Sequence, residues 1–205
     1  MNREERIRSA IKPFVPNGTE TALAERIVKF KCHLTITRDR KTKAGDYRHP
    51  YGRMGHRISV NGSLNQYAFL ITFVHEMAHL VNWERHGRKV NPHGKEWKLA
   101  FQEEMLPFLS KEVFPEDVLQ PLRAHMKSPK SATVRDLNLM RALRVYDQDT
   151  DLVLLEDLTE GQHFSLGSKT FVKGVQLRKR YRCEQVGTGK VYLVSAIAQV
   201  IPSTY

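Results

Sequence analysis

Two histidines four residues apart with a glutamate beside the first, His75-Glu76-Met77-Ala78-His79, are the residues of this chain best suited to chemistry. On a helix, positions i and i+4 share a face one turn apart, so both imidazoles can reach one ion, and paired histidines are good zinc ligands. Glu76 is swung about 100° round the helix from His75, off the ligand line but within reach of a water activated at the ion, where it can serve as general base. A hydrolytic zinc site takes three protein ligands and keeps a fourth position open. The pattern HExxHxxGxxH is excluded, because Asn82 and Arg85 stand where its glycine and third histidine belong. His86, seven residues past His79, would lie roughly 10 Å further along a continuing helix, too far for the same ion. His93 is the favoured third ligand, with Gly94 beside it permitting close backbone approach. Glu103 and Glu104 are its rivals.

These residues need a scaffold. SLNQYAFLITFVHEMAHLVNWERHG reads as a buried central helix: Leu64, Ala68, Ile71, Ala78 and Val81 recur at helical spacing, apolar residues cover most of the circumference, and Gly87 supplies a stop. Two histidines and a glutamate on such a helix need partners, since unpaired buried polar groups are costly. A metal meets that need; a pair of core histidines satisfied by neighbouring side chains is the plainer alternative. NPHGKEWKLAFQEEML reads as a following helix with Asn91 as cap and Pro92 in its first turn. Positions 93, 97, 101 and 105 share a face, so the side that packs Trp97 and Phe101 inward also aims His93 inward.

Upstream, REERIRSAIKPF and ETALAERIVKF are amphipathic helices separated by Pro16-Asn17-Gly18. HLTITRD and HRISVNG alternate like half-buried strands, and the stretch RKTKAGDYRHPYGRMG between them reads as a long basic loop or ribbon. Downstream, PEDVLQPLRAHM is a short helix and SPKSAT a linker. From about Leu143 the pattern turns to five short strands: DLVLLED, QHFSLG, KTFVKG, QLRKRYRCEQV and KVYLVSAIAQV. The last two are joined by a hairpin at Gly187-Thr188-Gly189, which suggests a small curled antiparallel sheet.

At 205 residues, 40% hydrophobic and 27% charged, the chain has the composition of a folded protein of one or two units. No stretch approaches the roughly 20 apolar residues that span a bilayer, and the N-terminus lacks the apolar core of a secretory signal. Cys32 and Cys183 form no CxxC pair and read as buried apolar residues; together these features lead us to expect a cytoplasmic protein with no membrane partner. A net charge of +11 calls for an anionic partner. Residues 38–57 hold seven Lys/Arg against two acids, and residues 169–190 seven against one. In QLRKRYRCEQV, strand alternation would put Arg178, Arg180 and Arg182 on one face about 7 Å apart, comparable to successive phosphates, with Lys169, Lys173 and Lys190 nearby. Backbone-driven nucleic-acid binding and a merely solvated face are both compatible with that pattern.

HEMAHLVNW followed by NPHGKEW resembles the SprT-like metalloprotease domain, related to proteases that cut DNA–protein crosslinks. The third histidine of that family stands in a segment matched here by His93-Gly94-Lys95-Glu96-Trp97, and GDYRHP and HRISVNGSLN resemble the strand region before its active helix. The resemblance covers roughly residues 20–108. It implies zinc held by His75, His79 and His93, with Glu76 catalytic. Many relatives end in a four-cysteine zinc ribbon, whereas only Cys183 stands in that part of this chain. The expectation is therefore an α+β protein, with a SprT-like zincin-type metallopeptidase domain over 1–128 and a basic all-β module over 129–205. It would act as a zinc metalloprotease on protein substrates, including DNA-associated or crosslinked ones. The alternative is a nucleic-acid-binding protein with a structural or inactive zinc site. Tyr51, His56 and Tyr67 are open candidates for stabilising an oxyanion.

Overall fold

The computed structural model of the chain describes residues 2–38, 40, 43–131, 136–147 and 151–203. It divides into two compact units, residues 1–147 and 148–205. Among the described residues no helix is long and apolar enough to cross a membrane.

In the first unit, α1 (Arg3–Ile11) starts on a capping box in which Asn2 and Glu5 satisfy each other's backbone N–H groups, and α2 (Glu20–Lys29) buries Leu23, Ala24 and Ile27. A three-stranded sheet follows in the order β1-β3-β2. β1 (His33–Thr37) runs parallel to β3 (Arg57–Asn61), and β2 (Gly45–Arg48) pairs antiparallel with the other side of β3. The basic stretch expected to be a loop or ribbon thus contains an edge strand. Its brace is Arg40, whose guanidinium donates to the Asn61 side chain (2.8 Å) and to the Ser59 hydroxyl (2.9 Å) of β3. Lys41 and Thr42 of that stretch, and Asp39 at the end of HLTITRD, lie outside the described residues.

Ile58 and Val60 of β3 are buried in the core beside α3 (Gln66–His86), which Asn65 caps by accepting from the N–H groups of Tyr67 and Ala68. Twelve of its 21 residues are buried, so this helix is the axis of the unit. It ends at Gly87, whose φ of +60° favours glycine. α4 (Lys95–Met105) packs Trp97, Ala100, Phe101 and Met105 into the core it shares with α3. Its cap is Gly94, not Asn91: Asn91–Gly94 closes a turn through a 3.0 Å bond from the Gly94 N–H to the Asn91 carbonyl, leaving Pro92 and His93 ahead of the helix.

α5 (Glu116–Met126) forms despite Pro121, and α6 (Leu137–Arg144), not anticipated from the sequence, starts on Asp136. α6 belongs to the first unit, which moves the division from the expected 128/129 to 147/148. Leu139 and Leu143 are buried in the first core, and Asn65 at the head of α3 donates to the Leu143 carbonyl (2.9 Å) and the Asp147 carboxylate (2.7 Å). Of the SPKSAT segment, Ala132 and Thr133 lie outside the described residues.

The second unit is a six-stranded antiparallel sheet in the order β4-β9-β5-β6-β7-β8. The strands are β4 (Val153–Leu154), β5 (His163–Leu166), β6 (Lys169–Leu177), β7 (Arg180–Gln185), β8 (Val191–Ser195) and β9 (Gln199–Ser203). The expected small antiparallel sheet is present with different breaks. KVYLVSAIAQV splits into β8 and β9 at Ala196–Ala198, and β6 runs on through Gly174, where a Cβ would sit 2.5 Å from the Arg182 carbonyl of β7. The sheet curls on itself: Leu155 and Glu156 donate to the carbonyls of Ala198 and Ala196, and Ala196 donates to that of Lys179. Inside lie Leu155, Phe164, Phe171, Cys183 and Val200. Both cysteines are free and buried, and burial pushes the Cys32 thiol up to about 12.

The placement of α6 sets the smallest stable form of the first unit. A fragment ending at Asp147 should melt cooperatively. One ending at Ser128 should lose about 3 kcal/mol or more, since two buried leucines contribute about 1.5–3 kcal/mol each. Thermal melts of the two fragments by circular dichroism check this.

Candidate metal centre

His75 and His79 project from one face of the middle of α3, and His93 meets them from the turn before α4. One ligand atom from each lies within 4.8 Å of the others. The Nε2 atoms of His79 and His93 stand 3.1 Å apart, and the ring centroids are separated by 5.1 Å (His75–His79), 5.6 Å (His75–His93) and 4.6 Å (His79–His93). Trp97 packs against all three imidazoles at 4.7–5.3 Å and is itself fully buried, so it backs the cluster as a rigid plate. Inward aim of His93 and Trp97 from a common side is therefore observed, although His93 precedes the helix.

Burial and the neighbouring imidazoles push His75 down to about 3, and burial and His93 push His79 down to about 4. Both rings are neutral at physiological pH. Neutral rings with converging nitrogens are the donor set that a borderline-soft cation such as Zn²⁺ takes. The rival ligands are committed elsewhere: Glu103 pairs with Arg85 at 2.6 Å and Glu104 with Arg26 at 2.7 Å. His86 is exposed and stands outside the cluster.

Glu76 is 8% exposed and receives a backbone hydrogen bond from Tyr47 of β2. Burial, reinforced by Asp46, pushes its carboxyl up to about 8. The strand passes close over it: a Cβ on Gly45 would lie 2.6 Å from Glu76 Oε1 and 2.7 Å from a Thr72 methyl. Only glycine at 45 lets the edge strand and the carboxylate share this space. Contacts pair along the two elements, Gly45 with Glu76, Tyr47 with His79 (stacked, 6.3 Å) and His49 with Trp83 (stacked, 4.1 Å), so β2 runs alongside α3 in the same direction. Between them opens a cleft of about 680 Å³ that holds the three histidines and Glu76.

Tyr47 and Gly45 were not singled out by spacing; their signal is only that GDYR precedes the strand leading into the helix. The tyrosine hydroxyl lies 2.9 Å from His56 Nδ1, and His56 Nε2 lies 3.0 Å from Glu84. This chain of bonds fixes the ring that stacks on His79, the outer support that ligating imidazoles commonly have. Of the three oxyanion candidates, His56 is thus occupied in positioning Tyr47. Tyr51 sits in a turn, 71% exposed, and Tyr67 packs on Phe114 and Tyr146.

The three arginines of the second unit are not brought onto one strand face. Arg178 and Lys179 form the two-residue turn between β6 and β7, with Arg178 at φ +53°, so only Arg180 and Arg182 alternate on the exposed face of β7, followed by Glu184. Lys173 points inward: it is 4% exposed, donates to the carbonyls of Glu156 and Leu158, and lies 4.0 Å from the Tyr181 ring. Burial holds its ammonium below the usual lysine range. In the other basic stretch, Arg40 braces β3 while Lys43 and Arg48 pair with Asp46 at 2.8 and 3.0 Å.

No curated protein and no solved structure matches the chain. One family model does: the SprT-like family, over residues 18–109, just under half of the chain. Those residues run from the start of α2 to the end of α4 and contain the sheet, His75, Glu76, His79 and His93. Over residues 18–109 the chain is similar to the SprT-like family.

Proposed function

We propose that this protein is a zinc-dependent peptidase in which His75, His79 and His93 hold the metal and Glu76 is the general base. The observation that carries the reading is the convergence of three imidazoles, one buried and one half-buried and both of these held neutral, beside a shielded carboxyl group in an open cleft. Zinc at such a site supplies a Lewis acid that polarises a carbonyl and makes water acidic near neutrality. With a cation beside it to favour the ionised carboxyl, Glu76 would accept the proton of the attacking water and pass it to the leaving amine. Its bond from the Tyr47 N–H holds the carboxylate in position, and Trp97 and the stacked Tyr47 keep the imidazoles from turning away. β2 is an edge strand bordering the cleft, a form to which an extended peptide can add as a further strand.

The second unit gives this peptidase a means of finding substrates held on nucleic acid. Among its described residues Arg178, Lys179, Arg180 and Arg182 have no ion-pair partner, and all four are exposed at or beside one hairpin. Binding there would be electrostatic and weakly selective for sequence. Arg178 reaches an anion from the turn, Arg180 and Arg182 from the strand.

One zinc per chain is expected by metal analysis, with His93→Ala losing most of it. Glu76→Gln should retain zinc and fold yet lose roughly 100-fold or more in peptide hydrolysis, the scale of a missing general base. Gly45→Ala should also retain zinc and lose activity, because its methyl group displaces the Glu76 carboxylate. An active preparation unaffected by Glu76→Gln contradicts the role given to Glu76, whereas a zinc-loaded wild type that hydrolyses no peptide leaves a nucleic-acid-binding protein with a structural metal. DNA affinity, followed by fluorescence anisotropy, should fall log-linearly with salt. Replacing Arg178, Arg180 and Arg182 by Ala should weaken binding to all sequences alike and flatten the slope by about three units at most, without changing zinc content.

A further inference from the structure

The cleft does not end at the ligands. Along α3, Trp83 lies one turn beyond His79 and two beyond His75, so the wall holding the metal ligands continues to Trp83 and then, past the Gly87 stop, to Arg88. Trp83 is held in place: His49 stacks on it at 4.1 Å with the rings 5° from parallel, and His49 is itself fixed by a 2.9 Å bond between Nδ1 and the Pro50 carbonyl. The Arg88 guanidinium lies 5.7 Å from the Trp83 ring centre. Among the described residues lining the cleft Arg88 is the only lysine or arginine, and no carboxylate of the described residues pairs with it. The one acid there besides Glu76 is Asp46, already neutralised by Lys43 and Arg48.

We infer that Trp83 and Arg88 form a specificity subsite that takes a carboxylate side chain, aspartate or glutamate, two or three residues from the cleaved bond. The inference rests on the peptidase reading of the neighbouring centre. Seven residues of helix separate Glu76 from Trp83, about 10 Å, which an extended peptide covers in about three residues. A guanidinium resting over an aromatic face keeps its planar fork of donors free, and that fork matches a carboxylate through two parallel hydrogen bonds. The indole, held by His49, fixes the guanidinium at the end of the cleft. In the proposed pose the substrate strand adds antiparallel to β2, the slightly more stable pairing, and runs from His49 towards Gly45, which puts the acidic residue on the N-terminal side of the cleaved bond.

The test is a set of fluorogenic peptides identical except for Glu, Gln or Lys at the second or third residue before the cleaved bond, offered to zinc-loaded wild type, Arg88→Ala and Arg88→Glu. Wild type should prefer Glu over Gln by about tenfold in kcat/KM, carried mainly by KM. Arg88→Ala should level the series, and Arg88→Glu should turn the preference towards Lys, with zinc content unchanged in both. Retention of the Glu preference by Arg88→Ala, or no preference in wild type, overturns the subsite. If wild type cleaves no peptide, the peptidase reading fails separately. The subsite is then judged by tryptophan fluorescence on zinc-loaded Glu76→Gln protein: tighter binding of the Glu peptide that disappears with Arg88→Ala supports it, and equal binding of all three peptides overturns it.

Discussion

A hydrophobic helix that carries two histidines and a glutamate through the centre of a core has to compensate for them, and most of the first unit is arranged around that constraint. Neutral imidazoles tolerate burial, but their nitrogens still need partners. His79 and His93 face each other at 3.1 Å, close enough for a hydrogen bond in which one Nε2 donates and the other accepts, which leaves only one of the two lone pairs for a further partner. A cation placed among the three nitrogens would use all three lone pairs at once. The same helix makes the site rigid: twelve buried residues fix the rotation of α3, and that rotation fixes which side chains enter the cleft.

The elements around α3 can be ranked by what they do for this centre. α4 contributes the Trp97 plate and, through the Asn91–Gly94 turn, the third imidazole. The sheet contributes its edge: β3 carries β2, Arg40 braces the pair, and β2 lays Gly45, Tyr47 and then His49 along the helix. α6 acts at a distance, tying the head of α3 through Asn65 and closing the core with Leu139 and Leu143. One consequence is a division between the parts that gather the three imidazoles and the Trp83–Arg88 end, which lines the same cleft further along α3.

Much of this was legible in the residues. The 3.6-residue pattern around HEMAH and the alternation of HLTIT and RISVN mark strong, regular elements, and the convergence of His93 on His75 and His79 was anticipated from one inward face, with Glu103 and Glu104 as rivals. What was not legible depends on tertiary context. GDYR has too little β-propensity to announce a strand by itself, so only the family resemblance of GDYRHP pointed to one; β3 and Arg40 make it one. α6 does carry a signal, Asp136 before leucines at helical spacing, but it stands next to a segment that reads as a linker. Arg178 at positive φ occupies a turn position where glycine or asparagine would have warned of a hairpin, so a two-strand unit read as one strand. Lys173 counts as surface charge in any composition, whereas the fold turns it inward onto two carbonyls.

The central claim is that three imidazoles and no other side chain of this chain bind one zinc. X-ray absorption at the zinc edge of purified protein tests it most directly. The account predicts a four-coordinate site of three imidazole nitrogens at about 2.0–2.1 Å and one further light atom. A sulfur neighbour at about 2.3 Å, or a shell with fewer than three imidazoles, would contradict it.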